Sequence, residues 1–161
     1  MDNKYVLSVL VENQPGVLSR VAGLFSRRGY NIDSFTAGET EDEGLTRMTI
    51  VLQGDSQVLE QIKKQLNKLI DVVDITELKP QEAVYRELAL IKVKADESNR
   101  ASILEVVDIF RGKVIDVANE HLTVEMTGDH NKVLAFIDMM RSYGIKEIVR
   151  TGLTALGRWS N

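Results

Sequence analysis

The sequence predicts an α+β fold built twice: two consecutive βαββαβ units, each a four-stranded antiparallel sheet with both helices on one face. Three observations carry this. Apolar residues switch between a period of two and a period of 3.6 in the order strand, helix, strand, strand, helix, strand. The same order returns after Pro80. Phe25-Ser26-Arg27-Arg28-Gly29-Tyr30-Asn31-Ile32-Asp33 is echoed by Phe110-Arg111-Gly112-Lys113-Val114-Ile115-Asp116, with a shorter stretch between phenylalanine and glycine.

Tyr5 to Val11 is a nearly continuous apolar run, which suits a central strand. Val17, Leu18, Val21, Leu24 and Phe25 then fall on one stripe of an amphipathic helix that Gly29 stops. Asn31 to Ala37 and Leu45 to Leu52 read as strands joined by the acidic turn Glu39-Thr40-Glu41-Asp42-Glu43-Gly44. Asp55 and Ser56 suit the cap of a second helix with the stripe Val58, Leu59, Ile62, Leu66, Leu69 and Ile70. Val72 to Leu78 closes the unit. In the second unit, Leu88 to Val93 is the first strand and Ile103, Leu104, Val107 and Phe110 form a helical stripe. Leu122, Val124 and Met126 alternate with Thr123 and Glu125 as in a half-buried strand. Val133, Leu134, Phe136, Ile137 and Met140 make the last stripe, and Ile145 to Val149 the last strand. Two ferredoxin-like domains follow, 4–78 and 84–161, joined by a linker over 79–83. A unit of that size buries only roughly 60 to 65% of its unfolded surface, so pairing between protomers, and hence a homodimer, is expected.

Composition narrows the function. Of 161 residues, 43% are hydrophobic and 27% charged, as in a folded domain, and the formal charge of -4 with a pI near 5.3 argues against a nucleic-acid or anionic-membrane surface. There is no cysteine, which excludes disulfides and thiolate chemistry, and two histidines, His121 and His130, leave little for a metal site. The start Met1-Asp2-Asn3-Lys4 lacks the features of a signal peptide, and no apolar run approaches the roughly 20 residues of a membrane span, so a cytoplasmic protein is expected. Nucleotide, phosphate, zinc and nucleophile-elbow motifs are absent from the sequence. A binding module is expected rather than an enzyme.

The most informative segment is the turn Asn13-Gln14-Pro15-Gly16-Val17-Leu18 between the first strand and the first helix. Gly16 carries no Cβ and lies where free backbone N–H groups and the positive end of a helix dipole emerge, which suits a carboxylate. The Asn13 amide offers an oxygen to an ammonium group. Both halves of a free amino acid are thereby served. A plain structural role, with Asn13 capping the helix and Pro15 in its first turn, fits the same residues. The corresponding turn of the second unit, Asp96-Glu97-Ser98-Asn99-Arg100, has no Pro-Gly pair, and its acids would repel a carboxylate, which favours the first copy as the pocket. Asn31 and Ile32, just after Gly29, read as strand initiation, or as residues reaching a partner protomer's pocket in a dimer. Arg27-Arg28 and Lys63-Lys64 read as solvated helix faces, with an anion site as the lesser alternative, His121 and His130 as turn residues, and Arg158-Trp159 as a tail that packs on its own domain or anchors another protein.

Asn13-x-x-Gly16-x-Leu18 between strand and helix of a βαββαβ unit resembles the ACT domain, a regulatory module that binds amino acids at its dimer interface. The blocks Leu18-Ser19-Arg20-Val21, Gly23-Leu24-Phe25-Ser26, Arg28-Gly29-Tyr30-Asn31-Ile32, Arg47-Met48-Thr49-Ile50 and Gln65-Leu66-x-Lys68-Leu69-x-Asp71-Val72 resemble the regulatory small subunit of acetolactate synthase. Arg86-Glu87-Leu88 and Ile109-Phe110-Arg111-Gly112-Lys113 with Ile115-Asp116 fit the second half of that family. The resemblance implies a chain without turnover of its own. Such a chain activates a large catalytic subunit and confers feedback inhibition by valine, sometimes by leucine or isoleucine. Thiamine diphosphate, magnesium and FAD are then expected on the catalytic partner, with no cofactor here. It also implies an effector site of Asn13, Gln14, Pro15, Gly16, Val17 and Leu18, with Asn31 and Ile32 from the other protomer. An ACT-type sensor of a different enzyme or a transcription factor is the alternative.

Overall fold

The computed structural model describes residues 3–159. Elements follow in the predicted order: β1 (Asn3–Glu12), α1 (Val17–Arg28), β2 (Asn31–Glu39), β3 (Leu45–Gly54), α2 (Ser56–Asn67), β4 (Val72–Glu77), then β5 (Ala83–Lys94), α3 (Arg100–Ile109), β6 (Lys113–Val117), β7 (His121–Gly128), α4 (His130–Arg141) and β8 (Ile145–Gly157). They form two four-stranded sheets, ordered β2-β3-β1-β4 and β6-β7-β5-β8. Residues up to Val84 together with those from Leu153 on make one compact unit, and Tyr85–Gly152 make the other. The tail beyond Leu153, expected with the second domain, thus groups with the first unit.

In the first unit the alternation of β1 sends Leu7, Val9 and Val11 to one face, each no more than 1% exposed. There they meet Met48, Ile50 and Leu52 of β3, the α1 side chains Val17, Val21, Leu24 and Phe25, and Leu59, Ile62 and Leu66 of α2. Each such side chain contributes about 1.5–3 kcal/mol on leaving water. Register is fixed by this two-residue period, because a slip of one would turn Leu7 and Val9 to the opposite face. Gly29, at φ 66°, ends α1 as expected: its N–H and that of Tyr30 close onto the Ser26 and Phe25 carbonyls. Asp55 caps α2, accepting from Val58 N at 2.9 Å.

The helical stripes need correction at their margins. Leu18 is 50% exposed and Ile70 94%, because the phase of α1 favours Val17 and because α2 ends at Asn67, three residues before Ile70. Leu104 and Leu134 are likewise exposed, whereas Val106 is buried. Strands run further than their apolar cores suggest. β5 starts at Ala83, and β8 continues to Gly157. Past Gly152, at φ 80°, the first-unit part of β8 binds β2: Leu153 N donates to Ser34 Oγ at 2.8 Å, and Leu153 O accepts from Thr36 Oγ1 at 3.3 Å.

The second unit repeats the scheme, with Ala89, Ile91 and Val93 of β5 against Ile103, Val107, Phe136, Ile137 and Met140. Phe110 and Phe136 meet edge to face at 5.5 Å between centroids. One polar group enters this layer. Glu87 is 3% exposed and accepts from Arg150 Nε at 2.8 Å and from Arg150 Nη2, while His130 Nδ1 lies 3.1 Å from its other oxygen. Both histidines therefore differ from plain turn residues: His130 heads α4, and His121 heads β7 with Nε2 buried and unpartnered among the described residues.

Candidate functional site

The turn from Asn13 to Leu18 is held by its own backbone and by the β2–β3 hairpin. Asn13 N donates to Gly44 O at 2.8 Å, Gln14 N to Glu12 O at 2.9 Å, and Val17 N to Gln14 O at 3.3 Å. Gly16 occupies the N-cap position of α1 at φ 84°, ψ -7°, a left-handed conformation that other residues adopt at a cost, and no side chain caps the helix. The expected structural alternative, Asn13 as cap, does not hold. Asn13 instead donates from Nδ2 to Glu43 O at 3.0 Å, fastening the turn to the β2–β3 hairpin, with Oδ1 unpartnered among the described residues. Gln14 and Pro15 are exposed, and Val17 is buried.

Because α1 has no side-chain cap, its first donors stay open. The N–H groups of Gly16, Leu18 and Ser19 have no partner among the described residues. An arginine paired with an aspartate lies beside them. Arg20, one helical turn on, reaches over the glycine so that a Cβ placed on Gly16 would come within 3.1 Å of Arg20 Nη1. Its Nε and Nη2 both bind Asp71 Oδ2 at 2.8 Å, and the Asp71 carbonyl accepts from Glu12 N at 2.9 Å. Sequence reasoning missed Arg20 and Asp71 as parts of this site. Only the spacing Gly16 to Arg20 hinted at the first, and the second comes from beyond α2.

The corresponding turn of the second unit is closed by contrast. Asp96 Oδ1 accepts from Ser98 N at 2.8 Å, Ser98 Oγ at 2.5 Å and Asn99 N at 3.2 Å, and Asn99 Oδ1 accepts from Asp96 N at 2.8 Å. The hydrogen bond from the Ser98 hydroxyl, with those from the backbone of Ser98 and Asn99, holds the Asp96 carboxyl below its ordinary 3.8. A carboxylate supplied by the chain itself occupies donors of the kind that the first unit leaves open.

Asn31 and Ile32 do not join the turn within one chain. They follow the far end of α1, which at 12 residues is about 18 Å long. Asn31 donates to Gln53 Oε1 at 3.2 Å, and Ile32 packs against the first core. Asn13 lies by Gly44, at the end of β3 opposite to Gln53. A concavity of about 390 Å³ opens elsewhere in this unit, around Thr36, Gly38, Arg47 and Thr154, and includes none of the expected site residues. No cluster of metal-binding side chains and no helix long and apolar enough to cross a membrane is present among the described residues.

Comparison with known proteins matches both halves. Residues 7–74 match the family described as the AHAS small subunit-like ACT domain, and residues 86–159 match that described as the small subunit of acetolactate synthase. A probable acetolactate synthase small subunit of Methanothermobacter thermautotrophicus is 54% identical over 97% of this chain and 94% of its own. The acetolactate synthase small subunit of Mycolicibacterium smegmatis is 51% identical over 96% of this chain and 91% of its own. The crystal structure of the acetolactate synthase small subunit from Thermotoga maritima superposes with a TM-score of 0.93 at 46% identity, covering 99% of both chains.

Proposed function

The chain belongs to the acetolactate synthase small-subunit family, and from that premise we propose that it activates a large catalytic subunit and makes it sensitive to feedback by valine. Thiamine diphosphate, magnesium and FAD are assigned to that partner, and this chain carries out no turnover. The observation that supports the effector site is the contrast between the two turns: open N–H groups at Gly16, Leu18 and Ser19, against donors filled by Asp96 in the repeat.

The chemistry follows from the turn. The effector carboxylate accepts from the open N–H groups at the positive end of α1, beside the Arg20 guanidinium. Asn13 Oδ1, turned outward by the Nδ2 bond to Glu43 and unpartnered among the described residues, accepts from the ammonium group. Exposed Leu18 receives the branched side chain. An exposed turn lacks a second wall, and in a homodimer the partner protomer would supply it with Asn31 and Ile32, which lie too far away within one chain. Discrimination of valine from leucine rests on one methylene, worth about 1–3 kcal/mol. Feedback requires valine to bind the inhibited arrangement more tightly than the active one, by a coupling of about 1–3 kcal/mol.

The test is to mix the protein with an acetolactate synthase large subunit and measure acetolactate formation with and without valine. Activation that valine suppresses in the wild type, and that valine no longer suppresses with Gly16→Asp, is the expected result. Undiminished inhibition of the Gly16→Asp complex would refute the site. Valine binding without any effect on the large subunit would move the reading to a sensor of another enzyme.

A further inference from the structure

We propose that the concavity between the C-terminal turns of α1 and α2 docks an acidic segment of the large catalytic subunit, an inference that rests on that subunit being the partner. The concavity measures about 390 Å³ and is lined by Leu24, Arg27, Arg28, Gln65, Lys68 and Leu69. No carboxylate lines it, although the chain as a whole carries a formal charge of -4.

Cations at helix C-termini ordinarily complement the dipole, so the excess matters. Two helix ends bring about half a negative charge each, roughly one in total, against three side-chain cations, which leaves about two positive charges uncompensated. Arg28 is held in place without being neutralised, since its Nη2 donates to the amide oxygen of Gln65 at 3.0 Å. The side chains of Arg27 and Lys68 make no hydrogen bond or ion pair among the described residues. Elsewhere in the unit, Lys4, Arg20 and Lys63 are paired with Asp33, Asp71, and Glu60 and Glu77, whereas Arg47 and Lys64 have no ion pair among the described residues.

The floor decides the kind of occupant. Buried Leu24 and part-buried Leu69 offer apolar surface, and the backbone ends nearby present carbonyls, which disfavours a phosphate group seated at the bottom. An extended acidic chain matches both parts, with one apolar side chain on the leucines and carboxylates on the cationic rim. Charges on such a rim govern the rate and salt dependence of association. The concavity lies at the other end of α1 from the Asn13 to Leu18 turn, and its lining includes none of the eight proposed effector residues, although Asn31 and Ile32 follow α1 closely.

The experiment titrates the full chain with the intact large subunit at low and high salt. Arg27→Glu with Lys68→Glu is expected to weaken binding by about tenfold or more and to flatten the salt dependence, and Arg27→Gln with Lys68→Gln to fall between. Thermal midpoints should stay near the wild-type level in both, showing an intact first unit. Wild-type affinity and salt dependence in the reversed variant would overturn the inference, as would equal losses in the two variants, since a docked acid must respond to the sign of the charge. Inorganic phosphate that competes with the large subunit at constant ionic strength would also overturn it. A wild-type chain that binds no large subunit would overturn the partner assignment itself, and this inference with it.

Discussion

Arg20 and Asp71 stand 51 residues apart in sequence, yet two guanidinium nitrogens of the first converge on one carboxylate oxygen of the second at 2.8 Å. The pair ties the first turn of α1 to the segment entering β4, next to the open N–H groups. Asp71 is largely covered, with its side chain 11% exposed, while that of Arg20 is 49% exposed. Arg20→Met would leave the covered carboxylate without its partner and cost about 1–3 kcal/mol. Chemical denaturation of the variant checks the loss, and Asp71→Asn should cost less because the amide needs no counter-charge.

Two glycines of the same helix should respond with opposite signs. Gly16→Ala forces a Cβ into a left-handed backbone and to 3.1 Å from Arg20 Nη1, so a loss of about 1–2 kcal/mol is expected. Gly23→Ala meets nothing within 4 Å. It lies in the helix interior, where alanine is favoured by about 0.5–1 kcal/mol. Thermal midpoints of the two variants, one lowered and one raised, are the measurement.

Asp55 and Asp129 cap α2 and α4 with matching geometry, each accepting an N–H three residues on at 2.9 Å. Alanine at either position should cost about 1 kcal/mol. If the caps act independently, the double variant should show the sum of the two losses, read from urea unfolding.

Glu87 and Arg150 make the covered ion pair of the second unit. Arg150→Met strands a carboxylate that is 3% exposed beside His130 alone, and about 3 kcal/mol of destabilisation is expected. Proteolysis under native conditions should then cut first within residues 85–152.

Asp96 sets a small acid-side dependence. Its folded carboxyl lies below its ordinary 3.8, chiefly through the Ser98 hydroxyl. Its stabilisation is therefore complete above the unfolded value and is lost as pH falls through the lowered folded value. Ser98→Ala should raise the Asp96 titration midpoint toward 3.8 in a carboxyl-carbon NMR titration.

Much of this architecture was legible because it is local. Asp55 before an apolar stripe and Gly29 after one announce a cap and a stop within a few residues, and the repeat around Phe25 and Phe110 announces the duplication. What escaped depends on distance along the chain. The Arg20 partner comes from beyond α2, and Glu87, an acid in an apolar run, is explained only by partners 43 and 63 residues away. Leu18 and Val17 both fit an apolar stripe, and only the docked helix selects Val17. Of the eight expected site residues, Asn13 to Leu18 are consecutive and form one turn, though Asn13 is fastened by Glu43 and Gly44 some 30 residues on. Whether Asn31 and Ile32 join them is a property of two chains.

The run of β8 beyond Gly152 has a practical meaning for anyone dividing this protein. Ser34 and Thr36 are bonded by Leu153, whose backbone arrives from the far end of the chain, so a fragment stopping at Val84 omits part of its own unit. A cut at the linker yields one piece that lacks the bonds from Leu153 and another whose last strand, β8, keeps its place in the second sheet but ends in residues that group with the first unit.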